Sequence, residues 1–323
     1  MSIEDHWYKR DHVSLSLWPV SQVFRGLAAI RRSAFRLKNL LVRKLPVPVI
    51  IVGNILVGGT GKTPMVIWLV NFLRQQGYKP GIVSRGYGGE SEAYPLKVSP
   101  VTSPAQAGDE PVLMARRTGV PVVVDPKRVR AAKTLLDRHP EVDIIISDDG
   151  LQHYALQRDI EIVMIDARRG YGNGFLMPAG PLRESSGRLR TVDFVVTNGP
   201  SADADYRMGL QAGNLIPVRG GAESVTLESF RHQQVHAVAG IGHPDRFFDT
   251  LRAHGIEVIE HAFPDHHPYR AADLGFGDDL PVIMTEKDAV KCQTFAPKQS
   301  WFLQVSAAPD KRFADELLAL LRS

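Results

Sequence analysis

The chain has 323 residues, 44% of them hydrophobic, with a formal net charge of +4 and a single cysteine, Cys292. That length accommodates two compact domains, and one cysteine excludes both an intramolecular disulfide and an all-cysteine metal site, a usage that fits a reducing compartment. No uninterrupted apolar run reaches the ~18 residues a spanning helix needs, and the N-terminus lacks a signal peptide's apolar core and cleavage site, so no bilayer crossing is expected.

The charge is unevenly placed. Residues 1–45 carry nine Lys or Arg against three acids, and the remainder is slightly acidic. At ~100° per residue, Val20, Val23, Phe24, Leu27, Ile30, Ala34, Leu37 and Leu41 fall on one side of a helix, with Arg25, Arg32, Arg36 and Arg43 on the other. Arg31 and Lys38 lie near the apolar side, where long side chains can snorkel. Two readings stand open for this basic amphipathic helix. It suits the interface of an anionic membrane, with Trp18 near its start. It equally suits a helix packed on the protein's own core with a solvated basic face. A nucleic-acid arm is disfavoured, because the basic residues lack interleaved aromatics and the body is mildly acidic.

Residues 47–52 read as a buried strand, and they run directly into Gly53-Asn54-Ile55-Leu56-Val57-Gly58-Gly59-Thr60-Gly61-Lys62-Thr63-Pro64. A strand entering a Gly-rich turn that ends Gly-Lys-Thr is a phosphate cradle. Backbone N–H groups from Leu56 to Thr63 would face an anion, the next helix would offer its positive N-terminus, Lys62 would reach the terminal phosphates and Thr63 would ligate Mg²⁺. The usual pattern has glycine where this chain has Leu56; Gly58 and Gly59 offer backbone freedom instead. The bland alternative is a glycine-rich turn with a surface lysine. Against it stands the helical pattern that follows, Val66, Leu69, Val70, Phe72 and Leu73 closed by Gly77.

Further apolar runs at 81–84, 120–124 and 142–147 alternate with helix-like stretches at 110–118 and 128–138, the signature of a parallel α/β sheet covered on both faces. A second series, at 160–165, 194–196, 235–239, 256–259 and 281–284, reads as another α/β unit. The expected organisation is an N-terminal helix (1–45), a P-loop nucleotide-binding domain (46–150), a second α/β domain (151–305) and a C-terminal helix (306–323) that could return to either domain. Both domains are expected to be α/β/α sandwiches, the first mostly parallel.

Acids and basic groups cluster at predicted strand ends and loops. Asp148-Asp149-Gly150 closes an apolar strand, where an acid can hold the Mg²⁺ that bridges phosphates, although strand-end Asp also simply starts turns. Asp109 and Glu110 stand at a loop-to-helix start, as helix caps or as base and Mg²⁺ ligand. His266, in the Pro-flanked loop Asp265-His266-His267, is a potential proton-handling partner for a carboxylate, against the commoner surface histidine. Residues 170–184 are too rich in Gly and Pro for regular structure, and Arg183 there can grip a phosphate or carboxylate bidentately. The segment Ser84-Arg85-Gly86-Tyr87 follows another strand end.

Taken together, Gly58 to Pro64, Ser84-Arg85-Gly86-Tyr87, Gly108-Asp109-Glu110-Pro111, Asp148-Asp149-Gly150-Leu151-Gln152-His153, Gly172-Asn173-Gly174 with Pro178-Ala179-Gly180-Pro181-Leu182-Arg183-Glu184, and Asp265-His266 closely resemble the tetraacyldisaccharide 4'-kinase family, from about residue 47 to 291. The resemblance implies an enzyme of lipid A biosynthesis that moves the γ-phosphate of ATP to the 4'-hydroxyl of an acylated glucosamine disaccharide 1-phosphate. It also implies peripheral association with the cytoplasmic face of the Gram-negative inner membrane, which favours the membrane reading of the basic helix. ATP and Mg²⁺ are the implied cofactors, and no nucleic acid or obligate protein partner is implied. Lys62 and the cradle would hold the β- and γ-phosphates, and Thr63 with Asp148 or Glu110 would hold Mg²⁺. Asp109 paired with His266 would take the hydroxyl proton, which makes Asp109, His266 and Lys62 the expected catalytic set, with domain closure as a corollary. Arg85, Tyr87, Arg128, Asp149, Gln152, His153, Asn173, Arg183 and Glu184 are further site candidates. The competing class is a P-loop GTPase or nucleotide-gated assembly factor. It is disfavoured because the nearest approach to a guanine-reading Asn-Lys-x-Asp is Thr285-Glu286-Lys287-Asp288.

Overall fold

The computed structural model describes residues 6–37, 42–202, 204–221 and 223–323. The chain divides into two compact units, 1–85, 125–209 and 308–323 forming the first, and 86–124 and 210–307 the second. It enters the first unit with α1 (His12–Leu37), β1 (Val49–Gly53), α2 (Lys62–Gln75) and β2 (Pro80–Ser84). It then supplies β3 (Leu96–Val98), α3 (Pro104–Ala107), α4 (Asp109–Thr118) and β4 (Val122–Val124) to the second. The first unit resumes with α5 (Arg128–Arg138), β5 (Ile144–Asp148), β6 (Ile160–Asp166) and β7 (Phe194–Asn198). The long β8 (Tyr206–Pro217) carries the chain into the second unit for β9 (Gln234–Ala239), α6 (Pro244–Ala253), β10 (Glu257–Ala262), β11 (Val282–Thr285) and α7 (Glu286–Cys292). Finally β12 (Ser300–Pro309) leads back to α8 (Lys311–Arg322).

Neither unit is a contiguous stretch, in contrast to the expected 46–150 and 151–305. The reason is strand pairing: β1 lies between β5 and β6, so β6 and β7 extend the first sheet instead of founding a new one. That sheet runs β8–β7–β6–β1–β5–β2 and is parallel throughout. Every residue of β1, β5 and β6 is buried, which is what unbroken Val/Ile runs require of strands covered on both faces. Register sets Val52 opposite Asp148 and Gly53 opposite Val163, so the loops after β1 and β5 emerge side by side at the carboxyl edge, where parallel sheets bind ligands. The C-terminal α8 belongs to this unit: fully buried Phe313 packs edge-on against Phe194 and Tyr206 and lies 5.7 Å from the Trp68 ring of α2.

The second unit holds a parallel β10–β9–β11–β12 sheet and an antiparallel β3–β4 pair. Val235, Ala237 and Ala239 of β9 join Phe247, Phe248 and Leu251 of α6 in one apolar cluster, while Val238 joins Tyr269, Met284 and Cys292 in another, the period of two expected of a strand. Burial pushes the Cys292 thiol up to about 12, so it behaves as a small apolar core residue. Sequence patterning missed β3, β8, α3, α6 and α7. In β8, two glycines and a mostly exposed surface remove the apolar signal, and only Met208 and Leu215 are buried.

Helix α1 packs by its small residues. Ser14 and Ser21 are fully buried, whereas Leu15, Trp18, Val23, Leu27 and Ile30 are exposed, Ile30 to 68%. Within His12–Phe35 an 18-residue stretch reaches a mean hydropathy of 1.2, enough by length and composition alone to cross a bilayer, which the interrupted apolar runs did not suggest. The expected helical pattern does not reach Arg43, whose backbone bridges to Leu156. Lys38 and Leu41, and the side chains of Arg36 and Leu37, lie outside the described residues.

Candidate active site

In the first unit, β1 ends at the turn 54–61 and α2 begins at Lys62. Gly61 has φ +89° in the left-handed region, and a Cβ there would stand 2.7 Å from Asn198 Nδ2, so only glycine fits. No described side chain caps the N-terminus of α2, which leaves its first amides open to an anion. The turn is braced from within: buried Asn54 donates through Nδ2 to the Gly58 carbonyl at 3.2 Å and to Thr60 Oγ1 at 3.3 Å, and Asn198 donates to the Thr60 carbonyl. Leu56, the departure from the usual motif, is buried and pairs antiparallel with Leu182. The Val57 amide donates to the Pro181 carbonyl at 2.9 Å, and the Arg183 amide donates to that of Ile55 at 2.7 Å. The Gly/Pro-rich loop is therefore the outer wall of the cradle.

The charged groups follow from that wall. Lys62 Nζ lies 3.5 Å from Asp149 Oδ1, and Arg183 Nη1 lies 3.2 Å from Asp149 Oδ2. Burial opposes ionisation of Asp149, but Lys62, Arg183 and Arg128 outweigh it and hold the carboxyl down at about 2. Asp148 at the end of β5 accepts from Ser84 Oγ at 2.9 Å. Buried Arg128 donates to the backbone carbonyls of Asp125 and Asp148; burial lowers it to about 10 against the pull of Asp148 and Asp149. His153 is pushed down to about 4, chiefly by burial and then by Arg128 and Arg85. Gln152 Nε2 ties the Asn54 carbonyl to Glu184 Oε1, and Glu184 also accepts from Tyr154. Asn173 does something else. Its side-chain amide donates to the carbonyls of His6, Lys9 and Ala179, fastening the N-terminal segment to the loop, where Trp7 Nε1 donates to Pro178 O. Its donors are spent on structure.

The second unit carries the other predicted cluster. Asp109, at the start of α4, is 4% exposed and accepts from His266 Nδ1 at 3.0 and 3.1 Å. Gly108, φ +86°, comes so close to the 86–89 segment that a Cβ would lie 2.5 Å from the Tyr87 carbonyl. The Tyr87 ring stands edge-on to His266 at 5.0 Å, so the Gly-Tyr-Gly-Gly segment is the bed of the Asp109–His266 pair. Burial works against ionisation of Asp109, but the His266 hydrogen bond and the Lys287 and Lys291 ammonium groups outweigh it and hold the carboxyl below the usual range. His266 is raised, the bond to Asp109 outweighing burial and Lys287. Glu110, expected as a metal ligand, is ion-paired with Lys287 Nζ at 3.1 Å.

Sequence reasoning missed Lys287 and Lys291. They stand four apart on α7, one turn and one face, facing the start of α4: Lys287 reaches Glu110, Asp265 and His266, and Lys291 lies 3.7 Å from Asp109. No helix was expected at 286–292, and nothing local indicated which face of α7 would meet α4. The Thr285-Glu286-Lys287-Asp288 string has a structural use: Thr285 caps α7, and buried Asp288 accepts from Thr285 Oγ1 and the Gly240 amide.

The family model described as tetraacyldisaccharide-1-P 4'-kinase, LpxK, matches residues 13–322. The tetraacyldisaccharide 4'-kinase of Methylobacillus flagellatus is 53% identical over 320 residues, covering 99% of this chain and 95% of its own. That of Alkalilimnicola ehrlichii is 50% identical over 324 residues, covering 98% and 95%. Among solved structures, LpxK from Aquifex aeolicus in complex with ATP matches with a TM-score of 0.79 at 29% identity, over 96% of this chain and 99% of that one. The chain belongs to the tetraacyldisaccharide 4'-kinase family.

Proposed function

We infer that this chain transfers the γ-phosphate of ATP to the 4'-hydroxyl of a tetraacylated glucosamine disaccharide 1-phosphate, a step of lipid A biosynthesis. The observation that carries this reading is the near full-length match to relatives named for that activity. A bond forms between the sugar oxygen and the γ-phosphorus, the β–γ bridge to phosphorus breaks, ADP leaves, and the hydroxyl proton passes to Asp109. The open amides at the start of α2 and the Lys62 ammonium fit the β- and γ-phosphates, and Lys62 offsets charge on the transferred group. Asp109, kept ionised and oriented by His266, accepts the proton; since phosphoryl transfer asks little of a base, its placement counts for more than its basicity. A GTPase switch is not favoured, because the string nearest to a guanine motif is consumed in capping α7.

Mg²⁺ fits Thr63 on the first turn of α2 and Asp148 at the end of β5. Among the described residues no group of three or more His, Cys, Asp or Glu could hold a metal by itself. When bound, Mg²⁺ neutralises phosphate charge. Glu110, already paired with Lys287, is left out of that set. His153 and Arg183 supply hydrogen-bonding or positive surface for phosphate groups, and buried Arg128 holds the Asp125 and Asp148 backbone beneath them.

The acyl chains of such a substrate stay in a bilayer, and α1 is suited to meet them there at the cytoplasmic face. Its large apolar residues point outward while Ser14 and Ser21 pack inward, and Arg25, Arg31 and Arg32 interrupt it, which fits a helix lying in the interface rather than crossing it. Asp109→Asn tests the base: turnover of labelled ATP with the acylated disaccharide monophosphate is expected to fall at least a hundredfold with ATP affinity unchanged. Near-normal turnover would remove Asp109 from that role.

A further inference from the structure

The three hydrogens of the Lys287 ammonium have three acceptors: Glu110 Oε1 at 3.1 Å, Asp265 Oδ1 at 3.0 Å and His266 Nε2 at 3.2 Å. An ammonium only donates, so the imidazole nitrogen facing it must accept. The ring proton of a neutral His266 is then on Nδ1, the atom 3.0–3.1 Å from both Asp109 oxygens. We propose that Lys287 is a positioning residue for phosphoryl transfer: anchored by Glu110 and Asp265, it donates to His266 Nε2 and so keeps the imidazole proton on Nδ1, directed at Asp109. This rests on the assignment of Asp109 as the base.

The charged and titratable groups around the pair are few. His266 faces Asp109 from α4, Asp265 from its own loop, Lys287 from α7 and the Tyr87 ring. Asp109 faces His266, Lys287 and Lys291, and Lys291 is held in turn by Asp288 at 3.0 Å and lies over the Tyr269 ring. Lys287 faces Glu110, Asp109 and Asp265, all acidic, which keep it charged despite burial. With Lys287 in place, a second proton on His266 must displace the ammonium from Nε2. Without it, the ring is free to take the other tautomer or a second proton, and the Asp109 carboxylate loses one of its cations.

Two readouts test this on the full chain. In ¹⁵N-histidine NMR, with the His266 signals identified by their loss in His266→Asn, the neutral wild-type ring should show a protonated Nδ1 and a bare Nε2. Lys287→Met should populate the Nε2–H tautomer and move the acidic limb of kcat/KM up by about one pH unit, roughly a tenfold loss on that limb. Lys287→Arg, which keeps a cation and donors, should restore most of both; a purely structural lysine would move neither the tautomer nor the limb. A wild-type ring protonated on Nε2 overturns the proposal, as does a folded Lys287→Met with tautomer and limb unchanged. If Lys287→Met does not fold, the wild-type spectrum and the arginine variant decide. Full turnover by Asp109→Asn would instead sink the base assignment, with the tautomer still readable.

Discussion

Asp149 and Asp109 are both carboxylates set among cations, and their neighbours give them different work. Asp149, with φ +46° at the end of β5, sits between Lys62 and Arg183 and stays ionised over the whole working range, a fixed charge that orients the cradle lysine. Asp109 has instead a titratable partner, His266, with the Lys291 ammonium 3.7 Å away. His153 shows the reverse effect, since burial beside Arg128 and Arg85 keeps it neutral until about pH 4. The unfolded chain takes up that proton near 6.5, so between about 6.5 and 4 the unfolded state binds more protons and stability falls with falling pH. His153→Gln should flatten this part of the stability curve while leaving the plateau above pH 6.5 in place. Chemical denaturation from pH 4 to 7.5 would measure it, and an unchanged slope would reject His153 as the group responsible.

At the scale of elements, the cradle is one half of a two-loop structure. Leu56 stands where the usual motif has glycine because its side chain is buried and its backbone pairs with Leu182. Substituting the commoner residue, Leu56→Gly, should therefore cost about 3–5 kcal/mol of stability through lost burial and added backbone freedom. Denaturant unfolding measures this; unchanged stability together with tighter ATP binding would mean that Leu56 is only a tolerated deviation. The same loop is held from its other side by Asn173 and Trp7, which explains why a Gly- and Pro-rich stretch without regular structure is nonetheless ordered. In the second unit, α4 and α7 do the equivalent work: Arg117 pairs with Glu286 at 2.6 Å, fixing the two helices so that Asp109 and Glu110 meet Lys291 and Lys287.

For the whole molecule, the outward apolar stripe of α1 gives the membrane reading a direct test that spares the fold. Leu27→Glu with Ile30→Glu alters two side chains already exposed, 63% and 68%, and should weaken partition onto anionic lipid vesicles at least tenfold while leaving ATP binding intact. Vesicle sedimentation would show it, and undiminished partition would return α1 to an ordinary surface helix. Local patterns in the chain were enough to mark most strands, the Gly-Lys-Thr cradle, the acids at 148–149, and Asp109 and His266 as candidates, because period, turn chemistry and motif spacing are written in neighbouring residues. Three matters lay beyond that reach. The domain limits depended on β6 and β7 joining the sheet of β1, a pairing between segments far apart in sequence. The orientation of α1 depended on which of two plausible faces found a complementary surface, and the small serine-bearing face did. Lys287 and Lys291 became part of the site only when α7 packed on α4, for a lysine on an amphipathic helix looks like a solvated charge until the fold sets a buried carboxylate opposite it.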